Sequence, residues 1–351
     1  MKPLILIWIG LLPCVLSSLA QQTRPTTRSP AHAVGSDIRR EQTEANRDAK
    51  RIHDLEHAGD KIAITYDRDG LGQYVFTCHN NSFSNYVVEL SFPNLENLRS
   101  DVPVPYRMDV PPGTRRMLSL SIVTKGSPVH FSHRFRYFKG CLSDKAVDTA
   151  YTYLLPVPPG RETHIYELTY LASEYGNQPE PKGWYALSLH VQSGDTIYAA
   201  RRGRVTEVRD TASLKDSGYT YARGDNYVEI SHNDCTFGRY TAFRDSSIFV
   251  QPGDYVEAGQ PIGIAGGERY AGGSQIRFSV YYHLEQEIKV EGDEKTKTVY
   301  LAYIPTHFWV KGQGSIRLTN HSKYISEHPT DLITKEMDKK EKKSWMENHK
   351  S

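Results

Sequence analysis

Cysteine is scarce, with four in 351 residues. No two are spaced CxxC, so neither a cysteine zinc site nor a thioredoxin-like redox motif is encoded. An excess of one charge is also missing. Lys and Arg number 43 against 41 Asp and Glu, for a formal net charge of +2. That balance excludes the basic stripe of a nucleic-acid binder. No HExxH occurs, so the compact helical zinc-protease motif is lacking. GIAGGERYAGG (263–273) is glycine-rich, but it does not open a helix after a strand in the GxGxxG manner and is no nucleotide fingerprint. Long apolar runs are confined to the N-terminus, and no later stretch is long enough to cross a bilayer.

The first residues, MKPLILIWIGLLPCVLSSLA, have the parts of a secretory signal. Lys2 is a short positive region, Leu4 to Leu12 an apolar one, and Ser18-Leu19-Ala20 a small-x-small cleavage site. A signal peptide over 1–20 is expected, with no stable membrane insertion after cleavage; the alternative is a retained anchor helix. Pro13 ahead of Cys14 argues against lipidation. Residues 21–60 read as a linker with a short helix near Ser36. Export permits disulfides. Cys78 and Cys141 fall in one expected domain and are the preferred pair, against the alternative of buried free thiols with Cys235.

Tyrosine is plentiful, at 23, and aromatics favour half-buried pleated surfaces. From Lys61, short alternating stretches (QYVFTC, NYVVELSF, RMLSLSIV) separated by DRDGLG, HNNSFS and VPPGTR predict a β-sandwich over 61–141. A second β region runs from 151 to 310, punctuated by Gly and Pro. Residues 311–351 end in LITKEMDKKEKKSWMENHK, expected as a charged helical tail whose lysines form a solvated face. The fold class expected is all-β.

Six segments of the second region agree in order with one family: YLLPVPPG, YALSLHVQSGDTIYAARRGRVTEV, NYVEISH, GRYTAF, VQPGDYVEAGQPIGIAG and GGSQIRFSV. Together they resemble a lysostaphin-type, LytM-like metallopeptidase domain. The resemblance implies an antiparallel β domain of the duplicated hybrid motif type. Its members are exported bacterial zinc endopeptidases that cut peptide cross-links of the cell wall. They hold zinc with an early His and Asp and with the second His of a His-x-His pair in the last core strand. Three protein ligands leave a position for water, which zinc makes nucleophilic near neutral pH. The first His of the pair and a His of the central strand handle protons and the oxyanion.

Carried onto this chain, the resemblance puts the Asp at Ser188, the central-strand His at Ala242 and the His pair at Gln275 and Arg277. The early His falls within SEYGNQPEPKGW, which has none. A guanidinium has only donors and cannot ligate zinc. The expectation is an exported, non-catalytic pseudo-peptidase of the bacterial envelope, secreted or periplasmic, with no cofactor. Its groove, formed by Ser188, His190, Tyr240, Gln275, Arg277 and Ser279, would bind peptidoglycan or an envelope protein. The alternative is a divergent peptidoglycan metallo-endopeptidase with a relocated zinc site built from His190, His232 and His283. Cys235 beside His232 lacks a third orienting group and is not read as a nucleophile.

Overall fold

The structure is a computed structural model that describes residues 61–143, 147–170, 180–211, 225–268, 270, 272–289 and 296–349. The expected signal peptide and linker helix lie outside the described residues. The N-terminal strands are β1 (Ile62–Arg68), β2 (Tyr74–Asn80), β3 (Tyr86–Glu96), β4 (Leu98–Ser100), β5 (Tyr106–Val110), β6 (Gly113–Ile122) and β7 (His130–Lys139). They form two sheets, ordered β1-β2-β6-β4 and β5-β3-β7. Strict alternation builds the core between them: Tyr74, Phe76 and Cys78 point inward from β2 to meet Val88, Leu90, Leu118 and Leu120.

The C-terminal strands are β8 (Thr152–Leu154), β9 (Glu162–Glu167), β10 (Ala186–His190), β11 (Thr196–Tyr198), β12 (Gly203–Arg209), β13 (Asn226–Ser231) and β14 (Thr236–Ile248). They continue with β15 (Tyr255–Val256), β16 (Pro261–Ala265), β17 (Gln275–Lys289), β18 (Thr296–Tyr303), β19 (His307–Val310), β20 (Gly314–Arg317) and β21 (Lys323–Ile325). One sheet runs β15-β12-β13-β14-β17-β10-β9-β21, with β18 on β17 and β16 joining β14 to β11. A smaller sheet is ordered β20-β19-β8. All these pairings are antiparallel except β8 with β19. The molecule is all-β, as expected. Its larger core gathers Ile165, Leu187, Leu189, Tyr240, Ile276 and Phe278 under the main sheet.

Two expectations are corrected. Cys78 is a buried free thiol, and Cys141 is bonded instead to Cys235, 94 residues on, with Cα atoms 5.9 Å apart. Cys78 points into the sandwich core from β2, whereas Cys141 lies just past the end of β7, beside the turn between β13 and β14. Residues 311–351 are also more than a helical tail. β20 and β21 join the sheets, and helix is confined to α1 (Thr330–Ile333) and α2 (Lys339–Asn348). Asp338 caps α2 in a reciprocal capping box with Glu341. The segment is fastened by Arg201, which donates to Glu336 at 2.7 Å, and by Arg202, which donates to the Glu336 carbonyl oxygen at 2.8 Å. Among the described residues no helix is long and apolar enough to cross a membrane.

The sandwich docks on the main sheet through buried charge. Lys139 places its ammonium 2.5 Å from Glu229, which is fully buried, and 2.7 Å from Glu207. Glu229 also accepts from Thr206 at 2.9 Å, Arg239 at 3.1 Å and the Tyr281 hydroxyl. Burial would raise the Glu207 carboxyl, but Lys139 and Lys61 outweigh it and hold Glu207 down at about 2. Phe138 stacks on Tyr300 at 4.3 Å and on His283 at 5.3 Å, extending the contact to the β17–β18 hairpin.

Candidate functional site

Register decides which side chains share the face of the main sheet opposite the core. Ile165, Leu187, Leu189, Ile276 and Phe278 point into the core. Their alternating neighbours therefore line the other face. One row crosses four strands: Thr241 opposite Arg277, Arg277 opposite Ser188, and Ser188 opposite Tyr166. The next row runs Gln275, His190, His164 and Lys323. Four of the six residues expected in the groove, Ser188, His190, Gln275 and Arg277, are thus brought together on one floor. Ser279 lies one row farther along, between Arg239 and Ala186.

The floor is held by its own hydrogen bonds. The Ser188 hydroxyl, buried at 2% exposure, donates to the side-chain carbonyl oxygen of Gln275. The Arg277 guanidinium lies over the Tyr270 ring, 3.7 Å from its centroid. Tyr270 in turn donates its hydroxyl to the buried Asp225 carboxylate at 2.5 Å. Arg209 fixes the Asp225 backbone, its Nε donating to the carbonyl oxygen at 2.8 Å. Burial, and after it the neighbouring His164, push the His190 imidazole below its usual range.

Ala242 sits at a bulge. Asn226 pairs with Phe243 and Tyr227 with Thr241, so Ala242 is the extra residue, and its φ is 76°. Bulges next to active sites re-aim a side chain. Here the bulge persists with only a methyl group to present.

Two readings of the sequence fail on geometry. Tyr240 is not in the groove. It faces Val228 and Phe278 across its neighbouring strands, both core residues, and its oxygen accepts from the Ala200 backbone N–H at 2.8 Å. Nor do His190, His232 and His283 meet. His190 is on the floor, whereas His232 is buried with Nδ1 2.8 Å from the Arg202 carbonyl oxygen. His283 stacks on Phe138 at the sandwich contact, eight residues along β17 from Gln275 and so about 27 Å away. The relocated zinc site is not assembled. Cys235, finally, is committed to its disulfide.

Residues 182–296, which include β10, β14 and β17, match a known family, described as Peptidase family M23. The chain carries a Peptidase family M23 domain. Solved structures similar to it include the catalytic domain of the antimicrobial peptidase lysostaphin from Staphylococcus simulans, at 27% identity over 30% of this chain and 76% of that one, with a TM-score of 0.23. The SpoIIQ–SpoIIIAH pore forming complex matches at 17% identity over 42% and 87%, with a TM-score of 0.27. The M23 metalloprotease Pseudoalterin matches at 13% identity over 51% and 97%, with a TM-score of 0.29. No curated protein shows significant similarity to the chain.

The M23 family implies zinc, and the residues at the implied positions do not fit it. Arg277 is a permanent cation with no lone pair to give, and it would repel a divalent ion at ligand distance. Gln275 and Ser188 are already bonded to each other, and Ala242 has no donor atom. Among the described residues no group of three or more His, Cys, Asp or Glu is placed to hold a metal ion. No step through a metal is therefore derived.

Sequence reasoning missed several residues of the floor. His164 and Tyr166 alternate with Ile165 in ETHIYE, and that period of two was legible. What places them beside His190 is the pairing of β9 with β10, which no local pattern encodes. Lys139 and Glu229 were hidden in the same way, 90 residues apart in the chain.

Proposed function

We propose that the chain is an exported, non-catalytic M23-like protein of the bacterial envelope, with 61–141 as accessory domain and 151–310 as peptidase-like domain. It acts by binding wall glycopeptide on the groove floor and serves as a scaffold or regulator. One observation carries this reading. Where the resemblance calls for zinc ligands, the floor carries a guanidinium stacked on Tyr270 and a Ser188–Gln275 hydrogen bond. A zinc hydrolase needs three ligands that leave an open coordination position, and Ser188, Gln275 and Arg277 do not supply it. The N-terminal signal sequence supports export to the periplasm or beyond.

The test starts from the mature chain, from Gln21, purified without chelator or a histidine tag. Zinc is measured by elemental mass spectrometry, hydrolysis on purified peptidoglycan, and binding by co-sedimentation with intact sacculi. Substoichiometric zinc, no cleavage and co-sedimentation are expected. Near one zinc per chain with metal-dependent cleavage would overturn the reading.

A further inference from the structure

The floor ends in a ring cluster that the degenerate site does not use. His164 and Tyr166 stand on β9, His190 beside them on β10, and His321 just before β21. The Tyr166 ring centroid lies 4.5 Å from His164, 4.6 Å from His190 and 5.2 Å from His321, the last edge-on at 89°. The phenol oxygen of Tyr166 is 3.1 Å from His164 Nδ1. All four rings are half-buried or exposed, and Ile165 and Leu189 beneath them fill the core. The cluster is thus a surface, and its Tyr166 shares a row with Arg277, two strands or about 10 Å away.

Its chemistry narrows the ligand. A metal is disfavoured, because the three imidazoles are not placed to share an ion. An added peptide strand would need an open edge, and β9 is paired on both sides, with β10 and with β21. An anion would need an uncompensated cation, yet Lys323, opposite His164, is ion-paired with Glu162 at 2.9 Å. What remains is a π-face bordered by ring nitrogens, a phenol and an ammonium–carboxylate pair. A pyranose ring matches that surface: its C–H face lies on the aromatic ring, and its hydroxyls both donate and accept.

We infer that Tyr166, with His164, His190 and His321, forms a saccharide subsite at one end of the groove, taking a sugar ring of the glycan. This rests on the reading of the groove as a glycopeptide surface and names its sugar-binding end.

Chitotetraose, an oligomer of N-acetylglucosamine, is the probe, titrated into the mature protein by calorimetry alongside sacculus co-sedimentation. Binding should weaken about tenfold in Tyr166→Ala, weaken in His321→Ala, and stay near wild type in Tyr166→Phe. His321 is exposed, so its variant keeps the test alive if Tyr166→Ala fails to fold. No binding of chitotetraose by the wild type, or equal binding by both alanine variants, overturns the subsite even if sacculi still bind. Tyr166-dependent chitotetraose binding without sacculus binding leaves the subsite standing and removes the wall reading.

Discussion

At the scale of single residues, the floor is held by contacts among its own side chains. Arg277 rests on Tyr270, and Ser188 bonds Gln275. Arg277→Ala should cost about 1 kcal/mol by losing the cation–π contact, measured by urea denaturation, with zinc content unchanged. A gain of bound zinc in that variant would mean that the arginine alone keeps metal out. His232 makes a second residue-scale prediction. It is wedged between glycines; a Cβ at Gly238 would come within 3.1 Å of its Nε2. Burial, and then the charge of Arg201, push it down to about 4. Because its folded pKa is depressed, its contribution is complete above the unfolded value of about 6.5 and is lost as pH falls toward 4. Stability should drop by roughly 3 kcal/mol across that window. Denaturation at several pH values would show this slope, and His232→Gln should flatten it. An unchanged slope would place the acid sensitivity elsewhere.

At the scale of elements, the bulge in β14 is the informative feature. Ala242 holds φ 76°, a region that costs an L-residue about 1–2 kcal/mol. Glycine adopts it freely. Ala242→Gly should therefore stabilise the protein by about 1 kcal/mol, seen as a higher thermal midpoint. A lower midpoint would show that the buried methyl matters more than the strain. The bulge is a backbone feature that the neighbouring pairs, Asn226 with Phe243 and Tyr227 with Thr241, maintain whatever side chain stands there. That is why the side chain at this position can change while the strand around it keeps its course.

At the scale of the whole molecule, the two β bodies are joined by a disulfide, a buried charge cluster and the stacking of Phe138 on Tyr300 and His283. Lys139 enters between Glu207 and Glu229, and Cys141, two residues on, is bonded to Cys235. The bond spans 94 residues of chain, and cross-linking a loop of that size restricts the unfolded state by about 4–5 kcal/mol in the chain-entropy view. The double variant Cys141→Ser, Cys235→Ser should lose stability of about that order in equilibrium denaturation. Hydrogen exchange should rise along β7 and β13, where the sandwich meets the main sheet. If exchange rises only in the turn around Cys235, the charge cluster holds the bodies together unaided.

The sequence by itself determined the strand content, through period-two alternation in stretches such as YVFTCHN. It also set the chemistry of Ser188, Gln275 and Arg277, whatever the geometry around them. Alternation also put Ser188 with His190 on one face of β10, and Gln275 with Arg277 on one face of β17; the register between the two strands brought the pairs together. Only the tertiary structure decided how strands from distant parts of the chain lie side by side. It turned Tyr240 into the core through its pairing with Val228 and Phe278, and it set Tyr166 beside His190. It chose Cys235 as the partner of Cys141, and it carried Lys139 onto a carboxylate 90 residues away. Alternation is local and can be read along one strand. Register and docking are set by burial and charge shared between segments, and those exist only once the sheets have formed.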